Sequence, residues 1–107
     1  MASNPSGTLD VLVMYRPQPG QEDAAEALIQ KNWPTLHRLG MATAKTAQVW
    51  RALDANGGTT FFEVFTWTDA TALDRAGENA EVTAIWDAMS PIMAGMDILR
   101  AAPVPVT

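Results

Sequence analysis

Apolar residues recur along the chain with two different periods, which divide it into six main elements. Strands are predicted over residues 9–16, 44–53, 59–67 and 96–101, where β-branched and aromatic residues are concentrated. Helices are predicted over residues 21–39, and from a cap at Thr68 or Asp69 to Met93 with an interruption at Gly77, because apolar residues return there at helical spacings. The order β-α-β-β-α-β is typical of a ferredoxin-like α+β fold, a four-stranded antiparallel sheet with its helices on one face.

Proline and glycine mark the ends and interruptions of these elements. Pro34 either kinks the first helix or starts a second short helix that continues the same apolar face. The second helical region is interrupted at Gly77, and Asn79 is a candidate N-cap for the longer helix that follows. Residues 54–58 predict a hairpin turn, so the second and third strands should be antiparallel neighbours.

The stretch 59–69 leads from a Gly-Gly turn into a Thr-Asp helix start and predicts the central strand of the sheet. Side chains alternate along a strand, so Phe61, Glu63, Phe65 and Trp67 should share one face. Glu63 has two interpretations. It is a general base with a raised pKa if it is buried beside the aromatic rings, or it forms a structural ion pair with Arg51 on the neighbouring strand.

Composition limits the classes of partner and chemistry. The 107 residues predict a single domain over 9–107 after a flexible segment, 1–8, and so short a chain is expected to form a homodimer.

The net charge of −5 and the scattered basic residues argue against nucleic acid and anionic membranes as partners. The chain has no cysteine, and His37 is its one histidine, so we expect no metal site and no cofactor. No signal peptide or membrane-spanning run is recognisable, so we expect a cytoplasmic protein.

The order and spacing of these features resemble the dimeric α+β barrel superfamily, and within it the antibiotic-biosynthesis-monooxygenase (ABM)-like domains. The resemblance covers residues 9–101 and rests mainly on Pro19-Gly20 after the first strand and on residues 63–69 at the junction of strand and helix. It implies a dimer whose two sheets face each other as a barrel, with the helices outside. It also implies an apolar pocket between the sheet and the helices of each subunit, suited to a small apolar or aromatic ligand.

The resemblance also implies roles for particular residues. In the cofactor-free, quinone-forming members of the superfamily, a strand tryptophan and an asparagine four residues earlier hold the substrate. Trp67 matches the tryptophan, but Glu63 stands where the asparagine is expected, and an ionised carboxylate cannot donate a hydrogen bond. Haem-degrading members combine this tryptophan with an asparagine on the first strand and a histidine on the second long helix, and this chain has neither, which argues against haem degradation.

Two functions remain open from the sequence. The first is a cofactor-independent monooxygenase, in which an apolar aromatic substrate stacks near Trp67 and Trp86 while Glu63 abstracts a proton. The predicted binding surface is completed by Phe61, Phe65 and Met89. The second is a non-catalytic, small-molecule-binding or stress-associated dimer with a dry pocket. The sequence does not decide between an enzyme and a binding protein.

Overall fold

The computed structural model describes residues 7–106, and its elements follow the predicted order. The strands are β1 (Leu9–Pro17), β2 (Gln48–Leu53), β3 (Thr59–Trp67) and β4 (Met93–Arg100). The helices are α1 (Glu22–Arg38), α2 (Ala72–Gly77) and α3 (Ala80–Met89), and a 3₁₀ turn, Ser90–Ile92, joins α3 to β4. Most of the predicted flexible segment 1–8 lies outside the described residues.

The four strands form one antiparallel sheet in the order β2-β3-β1-β4. β3 and β1 are therefore the inner strands, and β3 is central as the sequence predicts. α1 packs against β3 and against α3. The ferredoxin-like α+β fold predicted from the element order is confirmed.

The two faces of the sheet differ in burial. On the face that packs against the helices, Val11, Val13 and Tyr15 of β1 are buried beside Phe61, Phe65 and Trp67 of β3. The opposite face is also apolar but is half-buried or exposed. Its apolar members are Leu12, Met14, Trp50, Phe62, Val64 and Leu99.

The two alternatives for Pro34 are resolved, because α1 continues through this residue as one helix. Proline removes the hydrogen bond to the carbonyl of residue 30, and both Gln30 and Pro34 lie on the exposed side of the helix. Water can therefore hydrate the carbonyl that proline leaves unpaired. The predicted N-cap of α3 is confirmed, since Asn79 Oδ1 accepts hydrogen bonds from the backbone N–H groups of Glu81 and Val82.

Two strand starts and one helix end differ from the prediction. α3 ends at Met89 rather than at Met93, because Pro91 lies in the 3₁₀ turn Ser90–Ile92 that follows it. β2 begins at Gln48 rather than at residue 44. The preceding chain makes an isolated bridge from Ala42 to Trp67 and then bends at residues 44 and 45. β4 begins at Met93 rather than at residue 96, because a register shift against Arg16 and Pro17 lets the strand continue past an extra residue.

Candidate functional site

A buried hydrogen-bond network surrounds the carboxylate of the central strand. The side chain of Glu63 is 0% exposed. Its Oε1 accepts a hydrogen bond of 2.6 Å from Tyr15 Oη and one of 3.1 Å from Asn32 Nδ2. Its Oε2 is buried and has no hydrogen-bond partner among the described residues. Oε1 therefore holds two hydrogen bonds, and Oε2 is buried without a partner.

The sheet register and the buried face of α1 bring these groups together. Val13 lies opposite Glu63 and Tyr15 lies opposite Phe61, so Tyr15 and Glu63 are diagonal neighbours on the same face. Asn32 is the polar member of the buried face of α1. That face also contains Ala25, Ile29 and Leu36, at helical spacing.

Trp86 of α3 fixes the orientation of the asparagine. Its Nε1 donates a 2.9 Å hydrogen bond to Asn32 Oδ1. An indole N–H can only donate, so the amide oxygen must face Trp86 and the amide nitrogen must face Glu63. The hydrogen bonds therefore run in one direction, from Trp86 through Asn32 to Glu63.

Burial sets the proton affinity of this site. Removal from water raises the pKa of Glu63 to about 7, although the hydrogen bonds from Tyr15 and Asn32 favour the carboxylate and oppose the rise. Burial and the neighbouring Glu63 both raise the pKa of Tyr15, so its hydroxyl stays protonated. Glu63 is therefore the group that exchanges a proton near neutral pH.

The alternative ion pair between Glu63 and Arg51 is not formed. Arg51 lies opposite Phe61 in the register, and the residue opposite Glu63 is Val49. The Arg51 guanidinium contacts Asp23 and Glu26 on α1, at 3.2 Å and 3.4 Å. Both acids are solvent-accessible, so the charge of Arg51 is neutralised at the protein surface. The hydrogen-bond partners of Glu63, by contrast, are uncharged.

An apolar cavity of about 80 Å³ lies beside the network, between the sheet and the helices. Four of the residues predicted to bind a ligand are in its wall: Phe65, Trp67, Trp86 and Met89. Tyr15 and Asn32 supply the polar part of the wall, and the sequence prediction missed both. Two other predicted site residues, Phe61 and Glu63, are not in the wall, and Glu63 is hydrogen-bonded directly behind Tyr15 and Asn32.

The cavity is smaller than most ligand sites. Typical pockets for drug-sized molecules are about 300–1,000 Å³. The cavity opens between α2 and β4, where Leu73, Met96 and Ile98 line it and are partly exposed to solvent. An apolar cavity that binds benzene has a volume of about 150 Å³, so a ring or a longer ligand must displace these three side chains.

Two further classes of site are not found in the described part of the chain. Among residues 7–106 no three His, Asp or Glu side chains are grouped so that they could hold a metal ion. Of the helices described, none is long and apolar enough to cross a membrane.

Comparison with known proteins identifies the class of fold. No family model and no curated protein matches this chain. Among solved structures, a candidate antibiotic biosynthesis monooxygenase from Nitrosomonas europaea has a TM-score of 0.71 at 12% identity, with 96% of each chain covered. The protein Rv0793 from Mycobacterium tuberculosis has a TM-score of 0.68 at 14% identity, with 92% of this chain and 97% of that chain covered.

A third structure carries a functional name. A mutant of SnoaB, a cofactor-independent oxygenase from Streptomyces nogalater, has a TM-score of 0.69 at 12% identity, with 92% of this chain and 96% of that chain covered. Identities this low establish a shared fold and leave the chemistry to be argued from the site. The fold implied by the resemblance, that of the ABM-like α+β domains, is confirmed.

Proposed function

We propose that this protein is a cofactor-independent oxygenase that acts on a small apolar aromatic substrate. The supporting observation is the buried Glu63, whose pKa is about 7 and which is hydrogen-bonded to two polar residues of an apolar cavity wall. A general base works best when its pKa lies near the working pH, so a carboxylate in this state is suited to proton abstraction. The fold shared with SnoaB agrees with this chemistry.

The proposed reaction begins with proton transfer from the substrate. A flat ring lies between Trp67 and Trp86 with its acidic C–H or O–H group at Tyr15 Oη. Tyr15 accepts the substrate proton as it passes its own proton to Glu63 Oε1, along the existing 2.6 Å hydrogen bond. The substrate carbanion then adds dioxygen to give a hydroperoxide, which loses water and leaves a quinone carbonyl. One CH₂ group and one O₂ are thus converted into one C=O group and one H₂O, and no external reductant is needed.

Oxygen uptake tests this proposal. We expect wild-type protein to consume oxygen with an anthrone substrate, whose CH₂ group becomes the new carbonyl, and the rate to rise with pH as Glu63 loses its proton. Glu63→Gln keeps the shape and removes the base, so the rate should fall at least about 100-fold. Glu78→Gln, an exposed change outside the site, is the matched control. Equal rates in the wild type and in Glu63→Gln would refute the role of Glu63.

A second function, non-catalytic binding of a small apolar ligand, is favoured by one feature of the site. Glu63 does not line the cavity, and its free oxygen is buried away from solvent. In this alternative the network only stiffens the pocket. A ligand that raises the melting temperature, with no oxygen uptake by the wild type, would support the binding protein over the enzyme.

We also propose that the protein is a homodimer joined through the uncovered face of the sheet. The support is the apolar character of that face, where Met14 and Phe62 lie in adjacent strands beside the exposed Trp50. Phe62→Glu should then give a monomer in sedimentation at micromolar concentration. Leu53→Glu places the same charge on β2 but on the helix side, and should leave the dimer intact. A monomeric wild type would refute the proposal.

A further inference from the structure

The apolar cavity is the smallest of three neighbouring cavities along β4. A second cavity of about 280 Å³ shares Trp67, Leu73 and Ile98 with it and extends to Arg100. A third cavity, of about 210 Å³, shares Trp86, Met89 and Met96 and extends to Met93 in the other direction. The shared residues make the three cavities neighbours. We call the row of three cavities the β4 groove.

The register of β4 explains why one strand lines so much of the groove. Tyr15 lies opposite Met96 and Val11 lies opposite Arg100, and both β1 residues face the helices. The register shift near Arg16 and Pro17 places Met93 opposite Pro17, so Met93 and Met96 both point towards the groove. Flexible methionines form the far end, and these adapt to ligands of different shape.

Arg100 gives the other end of the groove a positive charge. It is exposed, and no ion pair or hydrogen bond joins its side chain to another described residue. Asp10 also borders this end, but it alternates with Val11 and so belongs to the opposite face of the sheet. The Asp10 carboxylate there accepts a 2.7 Å hydrogen bond from Thr66 Oγ1. The groove therefore combines apolar walls with one unpaired cation at one end.

We propose that the β4 groove binds an elongated amphipathic monocarboxylate, with its carboxylate at Arg100 and its apolar body in the smallest cavity. Four residues of strand separate Arg100 from Met96, which corresponds to about 13 Å. A medium-chain fatty acid or an aryl-substituted alkanoate has this length. The inference refines the ligand class of the proposed pocket. It rests on that pocket as a binding site and does not require oxygenation.

Calorimetric titration with a matched pair of ligands tests this inference. Decanoate and decanol share one alkyl chain, and decanoate is used below its critical micelle concentration. We expect one decanoate per chain, bound more tightly than decanol. Arg100→Gln should weaken decanoate about three- to tenfold and leave decanol unchanged, because only the ion pair is lost. Arg16→Gln is the control, since Arg16 lies on the opposite face and pairs with Asp97.

A second variant tests whether the apolar part of the ligand lies against the groove wall. Ile98→Asp places a charge in the groove wall and should abolish binding of both ligands, and a melting curve would confirm that the variant is folded. Equal affinity for decanoate and decanol in the wild type would overturn the inference. So would an Arg100→Gln variant that binds both as the wild type does. Oxygen uptake without decanoate binding would overturn this inference alone, whereas decanoate binding without oxygen uptake would overturn only the oxygenase.

Discussion

Replacing Glu63 by glutamine should make the protein more stable relative to the wild type as pH rises, although it alters the most buried polar group of the site. Glutamine resembles the protonated acid, because its Oε1 can still accept from Tyr15 and Asn32. Its amide nitrogen takes the place of Oε2, which has no partner in the described structure. The variant therefore stays uncharged at every pH, as the protonated acid is, although its amide nitrogen carries two N–H donors where the acid carries one O–H.

The size of the effect follows from the pKa of Glu63. Its ordinary value is 4.5 and its folded-state value is about 7, so between these pH values the folded state holds a proton that the unfolded state has released. Stability must fall as pH rises through this window, by about 3 kcal/mol in total. The stability of Glu63→Gln relative to the wild type should therefore increase by about 3 kcal/mol between pH 4.5 and pH 8.

Urea unfolding at several pH values between 4.5 and 8.5 measures this difference. The contributions of all other titrating groups cancel when one stability profile is subtracted from the other. The difference curve therefore reports the titration of Glu63 alone, and it should level off just above pH 7. Glu78→Gln, at an exposed site, should give a flat difference curve. Parallel profiles for the wild type and Glu63→Gln would show that the carboxylate is hydrated in the folded state. They would refute the statement that burial raises the pKa of Glu63.

Three further substitutions test the network around this group. Tyr15→Phe removes a hydrogen bond that favours the carboxylate, so the pKa of Glu63 should rise further and stability at pH 8 should fall by about 1–3 kcal/mol in urea titrations. Asn32→Leu deprives both Trp86 Nε1 and Glu63 of a partner and should cost about 2–4 kcal/mol, seen as a lower urea midpoint. Arg51→Gln should leave the pH profile of Glu63 unchanged, because Arg51 pairs with exposed acids of α1; a displaced profile would contradict the register described here.

The element order could be read from the sequence because each period and each turn is a local signal. The Asn-Gly turn predicts the β2–β3 hairpin, and the apolar repeat predicts α3. The predicted first residues of β2 and β4 were wrong, because they depend on contacts with residues that are distant in the sequence. The chain bends at residues 44 and 45 after the Ala42 bridge, and β4 gains residues from Met93 through a register shift against β1.

The site was predictable only in part, for a similar reason. Alternation places Glu63 and Trp67 on one face, but the partners of Glu63 come from residues 48 and 31 positions away in the chain. One overlooked signal was available. Asn32 falls on the apolar repeat of the first helix, and a polar residue on a buried face needs a partner. The sequence gives no such signal for Tyr15, because tyrosine is common in strands.

The hydrogen-bond network also connects proton uptake to folding. Its members come from β1, α1, β3 and α3, and the bonds join residues 48, 31 and 54 positions apart in the chain. Such distant pairs close only when all four elements have docked. Before docking, the carboxylate is hydrated and has its ordinary pKa of 4.5. At a pH between that value and about 7, the chain must therefore take a proton from the solvent as the sheet and helices come together.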